Sequence, residues 1–341
     1  MKIKGVNYDV GIALNGSLLS RPSFDQKTGS DELAIIKNEL HCNAVRICGT
    51  DITRLKEAAL AASALGLEVW LSPQLHDESM ETTQTYIAEV AKMAELLRQR
   101  SAKIVLVVGS ELTLFMQGIL EGRTLFERLN NPAFEQTLRS GQHNAVLNDF
   151  IEKVVTDVRK VFKGQITYAS VPFEAVNWDL FDIVSVDHYR ETSNYDSYAS
   201  SLAEYERFEK PVVVTEFGCA TFKGAGALGA NAWMIMDLGP DPSKPPVGLR
   251  GKHVRDEHEQ ATELNDQLHE LAQTKIEGAF VYTFIAPLLS YNDNPQYDFD
   301  MASYSLVRSM PQKEDASLTW IPKESFAVVA DFFVKGFKPL Q

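Results

Sequence analysis

The chain has 341 residues, 45% of them hydrophobic and 23% charged, with a formal net charge of −13. This is an ordinary globular composition, long enough for two small domains or one large α/β barrel. Its acidity argues against DNA, RNA or an anionic membrane as the main partner, because those surfaces are bound by basic patches. No run of about 18 apolar residues is present to span a membrane, and the N-terminal MKIKGVNYDVG lacks the apolar stretch and cleavage site of a signal peptide. Three cysteines, Cys42, Cys48 and Cys219, show no framework spacing. A cytoplasmic protein that binds neutral or cationic small molecules is expected, and the sequon Asn15-Gly16-Ser17 is then read as a turn.

Short β-branched runs alternate with longer helical patterns along the chain. IKGVNY (3–8) comes first, then the helical SDELAIIKNEL with Ser30 as its N-cap, then NAVRIC (43–48). The helix ITRLKEAALAASALG stops on Gly66 and leads to LEVWLS (67–72). A long amphipathic stretch from Glu81 to Arg100 precedes KIVLVVG (103–109). QITYAS (165–170), DIVSVD (182–187), PVVVTE (211–216) and GAFVYTF (278–284) complete a set of eight. Eight strands alternating with helices predict a parallel sheet closed into a (β/α)8 TIM barrel. A doubly wound open sheet is the rival, because strand count alone does not close a barrel. No linker, repeat or low-complexity tract divides the chain, so residues 1–341 read as one domain. The longest connections follow strands four, seven and eight, on the face where barrel enzymes build their sites.

Two of those strands deliver a carboxylate where they stop. The fourth runs apolar into Glu111 and the seventh into Glu216. A buried charge costs several kcal/mol unless it is paired or hydrogen-bonded, so each needs a structural or a chemical reason. Strands four and seven lie across a barrel mouth from each other. Two carboxyl groups about 5 to 5.5 Å apart are what a retaining glycosidase needs, one as nucleophile and the other as acid and then base.

Glutamates at the ends of strands four and seven, with Thr215-Glu216-Phe217-Gly218 around the second, make the chain resemble the retaining (β/α)8 glycoside hydrolases of the 4/7 superfamily (clan A) over most of its length. The resemblance implies that Glu111 is the acid/base and Glu216 the nucleophile. It also implies that Arg46 bonds the nucleophile and keeps it charged, and that Asp187-His188-Tyr189 carries the aromatic His/Tyr position contacting it. The stretch from Asp300 to Val307 is similar to the clan's acidic return segment. In the clan an Asn usually precedes the acid/base and bonds the sugar 2-hydroxyl; here Ser110 stands there. A Trp platform usually ends strand eight; here Tyr282 and Phe284 are its replacements by residue type, with Phe217 and Trp233. The implied substrate is a β-glycoside, or an α-L-arabinofuranoside, which the clan also accepts, and no cofactor is implied.

One competing signal is Gly224-Ala-Gly-Ala-Leu-Gly229, which satisfies G-x-G-x-x-G. It sits past the strand rather than on it, with no acidic strand end about 20 residues on, which weakens a dinucleotide reading. With Lys223 it would suit a sugar phosphate instead, as in a non-hydrolytic sugar- or sugar-phosphate-binding barrel or an aldolase- or isomerase-like enzyme. No H-e-x-x-H or C-x-x-C spacing marks a metal site, and Asp293, Asp298 and Asp300 read as a solvated acidic loop before a Ca²⁺ site.

Overall fold

The computed structural model describes residues 1–16, 18–100, 102–311 and 319–335. Eight strands form its centre: β1 (Ile3–Asp9), β2 (Ala44–Gly49), β3 (Glu68–Pro73), β4 (Ile104–Ser110), β5 (Gln165–Ser170), β6 (Val184–Asp187), β7 (Val212–Phe217) and β8 (Gly278–Val281). Each pairs in parallel with its neighbours, and β1 pairs with both β2 and β8, through Val6 opposite Val45 and Val281. The sheet is therefore a closed barrel, not an open one. The strands read as continuous apolar runs because both of their faces are buried. One face lines an interior of Ala44, Trp70, Val105, Val107, Ala169, Val213 and Phe280. The other packs under the outer helices.

Those helices are α1 (Gln26–Asn38), α2 (Ile52–Ala64), α3 (Met80–Gln99), α4 (Gln142–Val161), α5 (Glu257–Ala272) and α6 (Glu324–Lys335). The first starts earlier than its sequence suggests. Asp25, not Ser30, is the cap, its carboxylate accepting from the amide of Thr28 at 2.9 Å, while Ser30 lies inside the helix and donates to the Gln26 carbonyl. Asp and Ser are both good caps, and the one farther upstream captures an additional turn. Gly66 follows α2 with φ +73°, the left-handed conformation expected of it.

The alternation lapses between β5 and β7. The β5–β6 connection holds a single turn of 3₁₀ helix (Trp178–Leu180) and the β6–β7 connection a longer one (Ser200–Phe208). Aromatic rings occupy the layer that an α-helix would otherwise fill: Trp178 meets Phe181 at 5.7 Å and Phe208 at 6.5 Å between centroids. The connections after β7 and β8 are well packed. Together they bury a separate apolar cluster that includes Cys219, Phe222, Ile235, Leu249, Met301 and Tyr304. Asp298 and Asp300 are not a solvated acidic loop: Arg255 pairs with both, at 3.0 and 2.6 Å, and the fully buried Lys323 pairs with Asp300 at 2.9 Å. The sequon's Ser17 lies outside the described residues; Asn15 ends a two-stranded ribbon, Ala13–Asn15 against Leu18–Leu19.

Close packing in the interior puts a specific demand on β1. A Cβ on Gly5 would lie 2.2 Å from the Phe280 ring, which is itself held against Trp70 at 5.0 Å between centroids. Gly5→Ala is expected to cost about 1–3 kcal/mol by overpacking, read as a lower urea midpoint at unchanged slope. An unchanged midpoint would contradict this account of the interior.

Candidate active site

At the C-terminal mouth of the barrel lies a guanidinium with no solvent exposure. Arg46, on β2, donates from Nη1 to Glu216 Oε1 at 2.5 Å and to Asn7 Oδ1 at 3.0 Å, from Nη2 to Ser110 Oγ at 3.0 Å, and from Nε to Ser72 Oγ at 3.3 Å. Acceptors on β1, β3, β4 and β7 thus converge on one side chain of β2. The register makes this possible: Asn7 lies directly opposite Arg46 in the β1–β2 ladder. Asn7 is fixed in turn, since its amide donates to the carbonyls of Thr215 at 2.9 Å and Val281 at 3.3 Å.

Glu216 emerges near the end of β7 with its side chain 12% exposed. Arg46 holds one oxygen, and the Tyr189 hydroxyl donates to the other at 3.0 Å. Burial, and then the negative charge of Glu216, push the Tyr189 pKa well above its ordinary value, so it remains a donor. Tyr189 meets Tyr304 at 5.7 Å and Tyr282 at 6.5 Å, both edge to face, which gives the carboxylate an aromatic wall on one side.

Glu111 follows β4 and adopts φ +49°, ψ +39°. A non-glycine residue in this region costs on the order of 1–3 kcal/mol and persists only where its surroundings enforce it. The Glu111 amide donates to the Ala169 carbonyl at 2.9 Å. The amide of Leu112 donates to the Tyr168 hydroxyl at 2.8 Å, and the amide of Thr113 to the buried carboxylate of Glu174 at 3.0 Å. Tyr168 in turn donates to Glu174. The turn thereby brings an oxygen of Glu111 within 4.8 Å of one on Glu216 and one on Asp187. Burial first, then the charges of Asp187, Glu216 and Glu174, raise the Glu111 pKa well above the carboxylate range. This environment favours the neutral carboxyl over the charged one.

The structure brings Glu111, Glu216, Arg46, Ser110 and Tyr189 together, with the half-buried Tyr282 beside them. Ser110 is spent on Arg46 rather than turned to a ligand. His188 stacks on Tyr198 at 4.5 Å and places Nε2 2.7 Å from its carbonyl, facing away from the carboxylates. Phe284 is fully buried against Tyr8 and Trp320, and Phe217 is likewise core. The regular β8 ladder ends at Val281, so in-and-out alternation does not extend to Phe284. Asn7, Ser72, Asp187, Tyr168, Glu174 and Tyr304 were not assigned a role from sequence. A lone polar residue in an apolar strand was the available signal for Asn7. Above the site, Phe126 from the β4 connection meets Trp233 from the β7 connection at 6.4 Å, edge to face.

Two other arrangements do not form. The amides of Gly224 and Gly226, the nest a phosphate would need, are occupied by the Glu259 carboxylate at 2.8 to 3.2 Å. Among the described residues, Glu111, Asp187 and Glu216 are the carboxyls with ligand-like spacing. Arg46 already supplies the positive charge there, through its pair with Glu216.

Comparison with known proteins agrees with the expected resemblance. Residues 144–239 match the model of Glycoside Hydrolase Family 113, a segment running from α4 past Glu216. Solved structures share the fold across nearly the whole chain. A family 113 β-1,4-mannanase has a TM-score of 0.62 at 16% identity, covering 97% of this chain and 98% of that one. The family 113 β-mannanase of Alicyclobacillus acidocaldarius in complex with ManMIm has 0.59 at 16%, covering 98% and 97%. The β-glycosidase BGL167 has 0.57 at 13%, covering 99% and 97%. No curated relative matches. The expectation of a (β/α)8 barrel is borne out, and the partial family 113 match agrees with the expected resemblance to glycoside hydrolases.

Removing the guanidinium leaves Glu216 and its neighbours without a countercharge. Arg46→Met is expected to lose about 3–5 kcal/mol, measured by urea unfolding near neutral pH; wild-type stability in the variant would overturn the assigned role of Arg46.

Proposed function

We propose that this protein is a retaining β-glycosidase, with Glu216 as nucleophile and Glu111 as general acid/base, acting on β-linked mannosides. The observation that carries this reading is the approach of the two carboxyls to within 4.8 Å from the ends of β4 and β7. That spacing suits direct attack on the sugar, whereas the wider gap of about 6.5–9.5 Å leaves room for an intervening water.

In the first step a Glu216 oxygen attacks the anomeric carbon as the glycosidic C–O bond breaks, and Glu111 gives its proton to the leaving oxygen. Arg46 and Tyr189 fix the orientation of the attacking carboxylate. Formation of the glycosyl ester removes the negative charge of Glu216. One of the influences that raised the Glu111 pKa is then gone, and Glu111 is better able to remain ionised until it accepts a proton from water. That water attacks the same carbon from the opposite face, releasing the sugar with its original configuration and restoring Glu216.

Mannoside is the preferred sugar because two structural relatives are β-mannanases of family 113, the family whose model residues 144–239 match. The three cysteines are buried and unbridged, which suits a reducing compartment and short internalised oligosaccharides as substrates.

The test uses aryl β-mannosides and β-1,4-manno-oligosaccharides. Proton NMR during turnover is expected to show the β-anomer first. Glu111→Ala is expected to lose about 10²–10⁴-fold on poor leaving groups and to form a β-glycosyl azide when azide is added with an activated aryl substrate. First release of the α-anomer, or an active Glu216→Ala, would refute the mechanism.

A further inference from the structure

Asp187 has no role in the two-carboxylate mechanism, yet it lies inside it. It is the last residue of β6, only 2% exposed, with an oxygen within 4.8 Å of both Glu111 and Glu216. No hydrogen bond of full geometry reaches either of its oxygens among the described residues, although the Glu111 carboxyl and the Thr215 hydroxyl stand beside it. The four contacts of Arg46 go to Glu216, Asn7, Ser110 and Ser72, not to Asp187.

The charged and titratable groups around Asp187 are Glu111 at the end of β4, Glu216 on β7, Arg46 on β2 and Tyr189 two residues on. Glu174 faces Glu111 from the β5–β6 connection. His188, adjacent in sequence, is turned toward Tyr198. One guanidinium thus faces three carboxyls, Asp187 buried and Glu111 and Glu216 half-buried. If all three were ionised, Glu111 and Asp187 would oppose each other without a countercharge, which buried carboxyls resolve by retaining a proton.

We propose that Asp187 shares a single proton with Glu111 and so acts as the positioning residue for the general acid. In the resting site Glu111 carries the proton and donates it to Asp187, while Glu216 is paired with Arg46. A glycosidic oxygen replaces Asp187 as acceptor and takes the proton as its C–O bond breaks. Glu111 is then an anion beside an anion, which raises its affinity for the proton of the incoming water. When that water attacks, its proton returns to Glu111 and the hydrogen bond to Asp187 re-forms. The raised pKa of Asp187, caused by burial and then by Glu216 with Arg46 in opposition, is consistent with a group in such a pair.

This inference rests on the glycosidase assignment for its meaning, but it can be measured without turnover. Carboxyl-¹³C-labelled Glu and Asp are followed by NMR through a pH titration, with Glu111 assigned by its loss in Glu111→Gln. Glu111 is expected to titrate above the ordinary range in the wild type and about one pH unit or more lower in Asp187→Asn. Should Asp187→Asn fold poorly, Asp187→Ser removes the same negative charge, and the same downward shift of Glu111 is expected. In parallel, the basic limb of kcat/KM on 4-methylumbelliferyl β-mannoside is expected to move down by a similar amount in Asp187→Asn. Carbon titrations unchanged in the folded variants would overturn the proposal. A shifted titration in a protein that cleaves no aryl glycoside would sustain the shared proton and count against the glycosidase reading instead.

Discussion

A guanidinium out of water needs an acceptor for its N–H groups and a negative charge nearby, and the mouth of this barrel is organised around supplying both. Arg46 draws Asn7, Ser72, Ser110 and Glu216 from four other strands, so the relative heights of those strands are fixed by hydrogen bonds as well as by core packing. Fixing one oxygen of Glu216 in this way leaves the other for the Tyr189 hydroxyl. The position of Glu111 is secured by a second, separate network, in which Tyr168 and Glu174 hold the left-handed turn that follows β4. The two carboxyls therefore meet because two independent buried networks end at the same place. One presents a guanidinium to its carboxylate, and the other keeps its carboxyl in a buried site that favours the proton. In the proposed mechanism that difference in environment lets two residues of the same type take opposite roles.

The remainder of the mouth is built from the long connections. Those after β7 and β8 bury their own apolar cluster and an ion-pair network around Arg255, Asp300 and Lys323, so they form a rigid rim. The contact of Phe126 with Trp233 links the β4 and β7 connections, the two that follow the strands bearing the carboxyls. The glycine-rich segment belongs to this rim as well. Its amides bind Glu259 of α5, a partner remote in sequence, and it serves to seat the β7 connection on that helix.

The barrel was legible in the sequence because strands buried on both faces leave runs of Val, Ile and Leu that need no long-range information to recognise. Glu111 and Glu216 were legible because an ionisable group where an apolar strand stops has few inexpensive explanations, whereas Arg46 and Tyr189 were expected only from the family resemblance. Asn7 and Ser72 were not, since a small polar residue within a strand signals nothing until its partner across the barrel is known. Phe284 misled because the strand was taken three residues too far, and alternation loses its meaning once the ladder ends at Val281. Ser30 misled because Asp25, an equally good cap, lies upstream. The β5–β6 and β6–β7 connections lack α-helices because aromatic packing around Trp178 takes their place, a tertiary solution that local periodicity does not encode. Asp187 was visible as a residue, but its significance depends on two other carboxyls reached only through the fold.

The central claim is that Glu216 forms a covalent bond with a sugar. Its most direct test is to incubate the intact protein with 2-deoxy-2-fluoro-β-mannosyl fluoride and related 2-fluoro glycosides, then follow mass and map the peptides. The account predicts a gain of one fluorosugar on the peptide carrying Glu216, lost on addition of an acceptor sugar and absent in Glu216→Ala. A label on any other carboxylate, or rapid turnover of an aryl β-mannoside with no label from the whole series, would contradict it.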